Sequence, residues 1–294
     1  MRAFVLQAAV TEAPELLRCH QKASLGRRVR GSAAFFAHRR VTDSGSAPLL
    51  SHKHSGTLCG ERRLVATMAW RSHGQTNEQL VDALVRNHII TSPRVQDAMR
   101  HVDRGKYCPQ GTSPYMDAPQ PVGYNATISA PHMHASCLEL LVEQLQPGKR
   151  ALDVGHGSGY LVACMAHMLG EQGKAFGIEH IPELTQESIK NIRSDHPEYL
   201  SSGRVTLTTG DGRQGIPEHA PYDAIHVGAA TPSIPAPLID QLAINGRMIL
   251  PVGGPFHQEL VQVDKQADGS VETKSVMGVI YVPLTERSDQ WPVR

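Results

Sequence analysis

Residues 151–160 read ALDVGHGSGY. An apolar run carrying one aspartate, Asp153, meets three glycines at 155, 157 and 159. That is the pattern of a strand turning sharply into a helix, where nucleotide-binding α/β sheets bring a ligand against the backbone. The dinucleotide fingerprint G-x-G-x-x-G fails at its third glycine, which would fall on Tyr160. A GxxxxGK[ST] phosphate loop does not occur. From Ala151 to Gly173 there is no lysine or arginine. A carboxylate placed there repels a pyrophosphate and favours a cationic group such as an ammonium or a sulfonium.

The sequence around this turn alternates between strand and helix patterns. RALDVG, KAFGIE, RVTLTTGD, YDAIHVGA and GRMILPVG read as strands. GYLVACMAHMLG, IPELTQESIKNIRS and the short PAPLIDQL read as helices between them. ELVQVDKQ and SVETKSVMGVIYVPL form a hairpin pair around ADGS. This order predicts a doubly wound, mostly parallel α/β sheet that finishes in antiparallel strands. Upstream, TNEQLVDALVRNHII, SPRVQDAMRHV and HMHASCLELLVEQL read as three helices, with Thr76 or Asn77 as a cap and Pro93 in a first turn. CPQGTSPYMDAPQPVGY, residues 108–124, is rich in proline and glycine and reads as a loop.

Ligands of such sheets sit beyond the carboxyl ends of the strands. Three successive strands end in acids there. Asp153 opens the glycine turn, Glu179 closes KAFGIE, and Asp211 lies in GDG. Glu179 is placed to accept from two ribose hydroxyls, and Asp211 from an adenine amino group. S-adenosyl-L-methionine combines a nucleoside with an ammonium and a sulfonium and carries no phosphate, so it fits the ordered acids. A nicotinamide-dependent oxidoreductase also suits Glu179, but Tyr160 and the lack of a hydride-transfer constellation speak against it. A catalytically silent cofactor-binding adaptor is the alternative from outside the enzymes.

The 294 residues carry a formal net charge of +1, with 40% hydrophobic and 5% aromatic residues. That balance offers no electrostatic case for nucleic acid or an anionic membrane as partner. No apolar run approaches the roughly 18 residues of a membrane span. Cys19, Cys59, Cys108, Cys137 and Cys164 are scattered without CxxC spacing, the pattern of reduced thiols in a cytosolic protein. Residues 1–67 lack sustained periodicity and are expected to be a disordered extension, such as upstream sequence translated ahead of a second start at Met68. Their arginine-rich, acid-poor composition gives mitochondrial targeting as the alternative.

Residues 123–135, GYNATISAPHMHA, place Thr127 and Ser129 near a helix start, where backbone donors favour an anion. PHMH suggests metal, but positions i and i+2 of a helix face different ways, and no third ligand is evident, so no metal is expected. NATISAPHMHA, ALDVGHGSGY, GIEH, YDAIHVGAA, GRMILPVG and GVIYVPLT, in this order from Met68 to Arg294, resemble the protein-L-isoaspartate (D-aspartate) O-methyltransferase family.

The resemblance implies a Rossmann-like methyltransferase domain over 68–294, with a helical part over 68–148 and the cofactor sheet and C-terminal strands over 149–294. It implies methyl transfer from S-adenosyl-L-methionine to the free α-carboxylate of L-isoaspartyl and D-aspartyl residues in damaged proteins and peptides. The products are S-adenosyl-L-homocysteine and an ester that closes to a succinimide, and the enzyme is a monomer. A carboxylate is already ionised near neutral pH, so it is its own nucleophile and needs no general base. Ser129 matches the family's active-site serine; by itself it reads as a helix cap. Ala126, Thr127, Ile128, Ser129 and His134 are implied to line the junction of cofactor and substrate. Asp153, Gly155 and Ser158 belong to the glycine turn, Glu179 and His180 to the ribose, and Asp211 and Gly212 to the adenine. Thr285 and Gln290 match a C-terminal segment that folds over the site. Two departures stand out. His156 replaces the family's usual serine or threonine, and YCPQGTSPYMD is longer than its counterpart.

Overall fold

The computed structural model describes residues 71–291. The extension expected over residues 1–67, with Cys19, Cys59 and Met68, lies outside the described residues. Helix α1 (Asn77–Arg86) starts at Thr76, whose side chain accepts from the Gln79 N–H, and buries Leu80, Val81 and Leu84 along one stripe. Helix α2 (Pro93–His101) follows with Pro93 in its first turn. A 3₁₀ turn covers Arg104–Tyr107.

The segment 108–124, expected to be loop throughout, ends instead in a strand. β1 (Gln120–Gly123) pairs antiparallel with β2 (Ala126–Ile128). Tyr124 and Asn125 join them with φ of 52° and 55°. Paired positive φ is the geometry of a tight hairpin turn. Pro121 is tolerated because this ribbon has two strands and each is an edge. Helix α3 (Pro131–Leu141) then leads into the main sheet.

There β3 (Arg150–Val154), α4 (Tyr160–Leu169), β4 (Lys174–Glu179), α5 (Pro182–Asp195), the short α6 (Pro197–Ser201), β5 (Val205–Thr209) and β6 (Tyr222–Val227) follow in turn. After α7 (Ala236–Asp240) come β7 (Leu242–Gly254), β8 (His257–Lys265) and β9 (Val271–Val279), and α8 (Arg287–Gln290) ends the fold. The sheet order is β5-β4-β3-β6-β7-β8-β9. Strands β3 to β7 are mutually parallel, and β8 and β9 return antiparallel, as expected. β7 begins earlier than GRMILPVG, because Leu242 already pairs with Tyr222 before an irregular step in the register. The chain leaves β3 toward β4 on one side and returns to β6 on the other. The crevice between the carboxyl ends of β3 and β6 is therefore the switch point.

Side-chain alternation splits the core into two clusters. Leu152, Val154, Phe176, Ile178, Ile225 and Val227 pack on one face with Leu238. Ala151, Ala175 and Ala224 lie on the other, under α4 and the N-terminal helices. Their small side chains let α4 approach the sheet. On that second face Asp153 stands in register between Gly177 of β4 and His226 of β6.

The room at Gly177 accounts for His156, the turn's departure from the family pattern. A Cβ at Gly177 would lie 2.8 Å from His156 Cδ2 and 2.7 Å from Leu207 Cδ2. The His156 ring folds into this gap, is buried, and holds its Nδ1 3.1 Å from Ser188 Oγ of α5. Burial pushes its pKa down, so the ring is neutral at physiological pH. His156 thus wedges the turn against α5. Gly177→Ala overpacks this wedge and is expected to cost about 1–3 kcal/mol. Urea unfolding reads the loss, and an unchanged midpoint would show that the ring is not held there.

Candidate active site

The glycine turn puts Gly155, Gly157 and Gly159 at φ of 73°, 51° and 85°. Its backbone forms the floor of a cleft with two joined chambers. The outer one, about 510 Å³, is lined by Ala126, Gly212, Glu179, His180, Leu284 and Gln290, among others. The inner one, about 350 Å³, is lined by Ile128, Ser129, His134, Asp153, Ser158 and His226, among others. Thr127, Gly155, Gly157 and Gly228 border both. The hairpin β1–β2 forms one wall through Ala126, Thr127 and Ile128 of β2.

Glu179 is buried at the end of β4. One carboxylate oxygen accepts from the Gly157 N–H at 3.2 Å and the other from the Ile181 N–H at 3.1 Å. These bonds fix the side chain, and the remaining lone pairs stay available for hydroxyl donors in the outer chamber. A Cβ on Gly228 would sit 3.1 Å from the Gly155 carbonyl, so the two backbones meet closely where the chambers join. No lysine or arginine lines either chamber. These features suit a phosphate-free nucleoside, with Glu179 to hold ribose hydroxyls.

Asp153 is not a free anion at the mouth of the turn. Its Oδ1 lies 2.7 Å from His226 Nδ1, and both side chains are buried. Burial works against a charged imidazole. Hydrogen bonds to Asp153 and Cys137 outweigh it and raise His226 to about 10. His226 is therefore held as an imidazolium against Asp153, so the protein itself supplies a cation for this aspartate. His226 was not singled out from the sequence. Its signal is a polar residue between Ile225 and Val227, facing the same way as Asp153.

Ser129 does not cap α3. That helix begins after Ala130 with no side-chain cap. Its hydroxyl instead meets Tyr281, which also contacts Cys137; burial drives the Tyr281 phenol well up, so it stays protonated. His134 lies with its Nδ1 3.3 Å from Arg104 Nη1 and its ring 5.1 Å from that of Tyr160. Burial, then Arg104, then His226 and His132 push His134 well down, so it is neutral. His132, two positions earlier, turns to Asp117 with Nδ1 2.8 Å from Oδ1. Among the described residues no cluster of three His, Cys, Asp or Glu side chains could hold a metal ion.

Two predicted contacts are not brought into the chambers. Asp211 is bound to Arg213 through Nε at 2.9 Å and Nη2 at 2.8 Å, and Arg213 also bonds Glu286. The Arg213 bonds pull the Asp211 pKa down. Only its neighbour Gly212 lines the outer chamber. Thr285 bonds Asp289 within the terminal segment, and Leu284 faces the chamber in its place. Gln290 is brought in. Its Oε1 lies 2.9 Å from His180 Nε2, its Nε2 donates to the Tyr124 carbonyl, and its own carbonyl accepts from Asn125. Trp291 packs edge-on against Tyr124. The last described turn thus ties the hairpin to the end of β4 across the outer chamber.

The family model for protein-L-isoaspartate(D-aspartate) O-methyltransferase matches residues 75–289. A Caenorhabditis elegans protein-L-isoaspartate O-methyltransferase is 54% identical over 225 residues, which is 76% of this chain and 99% of the relative. The Triticum aestivum enzyme of that name is 52% identical over 74% of this chain and 94% of its own. Among solved structures, one described as a Plasmodium falciparum protein-L-isoaspartate O-methyltransferase in complex with S-adenosyl-L-homocysteine superposes with a TM-score of 0.68. It is 35% identical, and the match covers 72% of this chain and all of that one. From its strand order, its cleft and its relatives, the chain belongs to the protein-L-isoaspartate (D-aspartate) O-methyltransferase family.

Proposed function

We propose that the outer chamber holds the adenosyl part of S-adenosyl-L-methionine and that Ser129, in the inner chamber, orients the acceptor. The activity is that of the family, methylation of isoaspartyl and D-aspartyl residues for protein repair. When bound, the cofactor supplies an electrophilic methyl group on a sulfonium and leaves as S-adenosyl-L-homocysteine. The residues that would hold it are Ala126, Thr127, Gly155, Glu179, His180, Gly212 and Gln290, all at the chamber wall. The observation that carries this reading is the buried, backbone-fixed Glu179 in a cleft without lysine or arginine, opening directly onto Ser129.

The protein's own part is alignment. The acceptor carboxylate is ionised before it arrives and needs no proton removed. Ser129 donates a hydrogen bond that fixes which oxygen faces the methyl group, with Tyr281 holding the serine from behind. Asp153 then serves as a positioning residue: it fixes His226 and with it the join between the chambers.

We further propose a monomer that works in the cytosol on damaged proteins and peptides, without a nucleic-acid or membrane partner. The near-neutral charge of +1 and the unbridged Cys108, Cys137 and Cys164 support this. Among the described residues no helix is long and apolar enough to cross a membrane.

Labelled methyl transfer to an isoaspartyl peptide, against the matched aspartyl peptide, tests the assignment; only the first should gain a base-labile methyl ester. Equal labelling of both would end it. Ser129→Ala is expected to lower turnover about tenfold to a hundredfold, the weight of one hydrogen bond to a charged group. Calorimetric cofactor affinity should stay nearly unchanged, and wild-type turnover would remove the role. Light scattering should give a single-chain mass, and mass spectrometry of the native protein should find it in the cytosolic fraction. A dimer mass, or an N-terminus cut within residues 1–67 in a mitochondrial fraction, would replace that part of the reading.

A further inference from the structure

Arg104 has no exposed surface. A buried guanidinium is costly unless a carboxylate compensates it. Among the described residues none forms an ion pair with it. Its Nε donates to the Pro114 carbonyl at 2.8 Å, its Nη1 lies 3.3 Å from His134 Nδ1, and its Cζ stands 5.6 Å over the Tyr160 ring. Its Nη2 has no hydrogen-bond partner among the described residues. The backbone around it is fixed, since the Arg104 N–H faces Asn77 Oδ1 and Asn77 Nδ2 donates to the Met99 carbonyl. A buried charge left this incompletely paired, one side chain behind a chamber wall, is placed for a ligand.

Arginine only donates. The contact with Nη1 therefore requires His134 Nδ1 to be the acceptor, and the single ring proton to sit on Nε2. His134 lines the inner chamber, so a neutral imidazole presents a fixed donor there. A cation on its far side polarises the ring and strengthens that donor toward an anion.

We propose that Arg104 is a positioning residue that acts through His134, locking it as a neutral Nε2–H donor for a carboxylate in the inner chamber. The assignment rests on the cleft being the methyl-transfer site. Two carboxylates reach such a site, the acceptor's and the one on the cofactor's amino-acid end. Both present the same chemistry to His134. The charged and titratable groups around the ring are Arg104 and Tyr160, His132 with Asp117, and His226 with Asp153. Of these, Arg104 is the cation in contact, and its removal lets the His134 pKa rise.

Long-range ¹H–¹⁵N spectra of the full-length wild-type protein without ligand read the tautomer directly. The His134 ring should carry its proton on Nε2 and stay neutral across pH 5–8. A proton on Nδ1 overturns the proposal whatever the activity of the enzyme. In Arg104→Met the donor that fixes Nδ1 as acceptor is gone, so the same spectra should show a mixture of Nδ1–H and Nε2–H tautomers; a pure Nε2–H ring in the variant would overturn the role of Arg104. Binding then separates the two sources. A rise of about tenfold in KM for the isoaspartyl peptide marks the acceptor carboxylate. A matching loss of affinity for S-adenosyl-L-homocysteine, with 5′-methylthioadenosine unaffected, marks the cofactor's. Loss of 5′-methylthioadenosine as well, or no change in any of the three, overturns the proposal. A variant that methylates other acceptors normally would fault only the carboxylate assignment, whereas absence of isoaspartyl methylation in the wild type faults the cleft's identity.

Discussion

The buried contact between Asp153 and His226 is the constraint on which the site depends. It joins β3 to β6 at the point where the strand order reverses. An ion pair removed from water repays its desolvation only when its geometry is good and its partners are fixed. Here parallel register fixes both, because the residues are direct neighbours on the same face. Neutralising Asp153 within the pair leaves Glu179 as the buried acid of the outer chamber. The cleft then meets its ligand with one anchored carboxylate, two glycine backbones and a nearly uncharged floor.

That floor suits the chemistry. An incoming carboxylate and a sulfonium annihilate their charges as the methyl group moves, so a strong net field of either sign would favour reactants over the transition state. What the protein supplies is orientation. Ser129 just after β2, Tyr281 just after β9 and His134 on α3 come from three separate parts of the chain. His156 belongs to this scaffold while also lining the inner chamber. It fills the gap above Gly177 and braces the turn against Ser188.

The alternation of strands and helices was legible apart from the short α6 and the early start of β7, because each period is written in a local run of residues. Glu179 was legible for the same reason, as the acid closing KAFGIE. Asp153 was recognised as a site residue, but its protein partner was not. His226 lies 73 positions away, and only register reveals that the two are adjacent. Asp211 has a local partner that strand order does not announce. Its partner Arg213 is two residues on, and that local bond competes with the ligand role drawn from strand order. The β1–β2 ribbon escaped notice because Pro121 and Gly123 are strand breakers that a two-stranded edge tolerates. Arg104 left no trace at all, since a single arginine in VDRGKY carries no period that would announce its burial.

The bonds from Gln290 to Tyr124 and His180 have a consequence for how the protein is made. Asn125 and Gln290 are separated by 165 positions, so the outer chamber is closed by the two ends of the fold meeting. A chain emerging from the ribosome releases the residues of β3 to β6, and with them Asp153, Glu179 and His226, before residue 290 is available. The nascent sheet therefore exposes an open crevice, and the roof arrives last. Contacts this distant in sequence form late and slowly. Synthesis itself thus withholds a complete site until the whole domain is present.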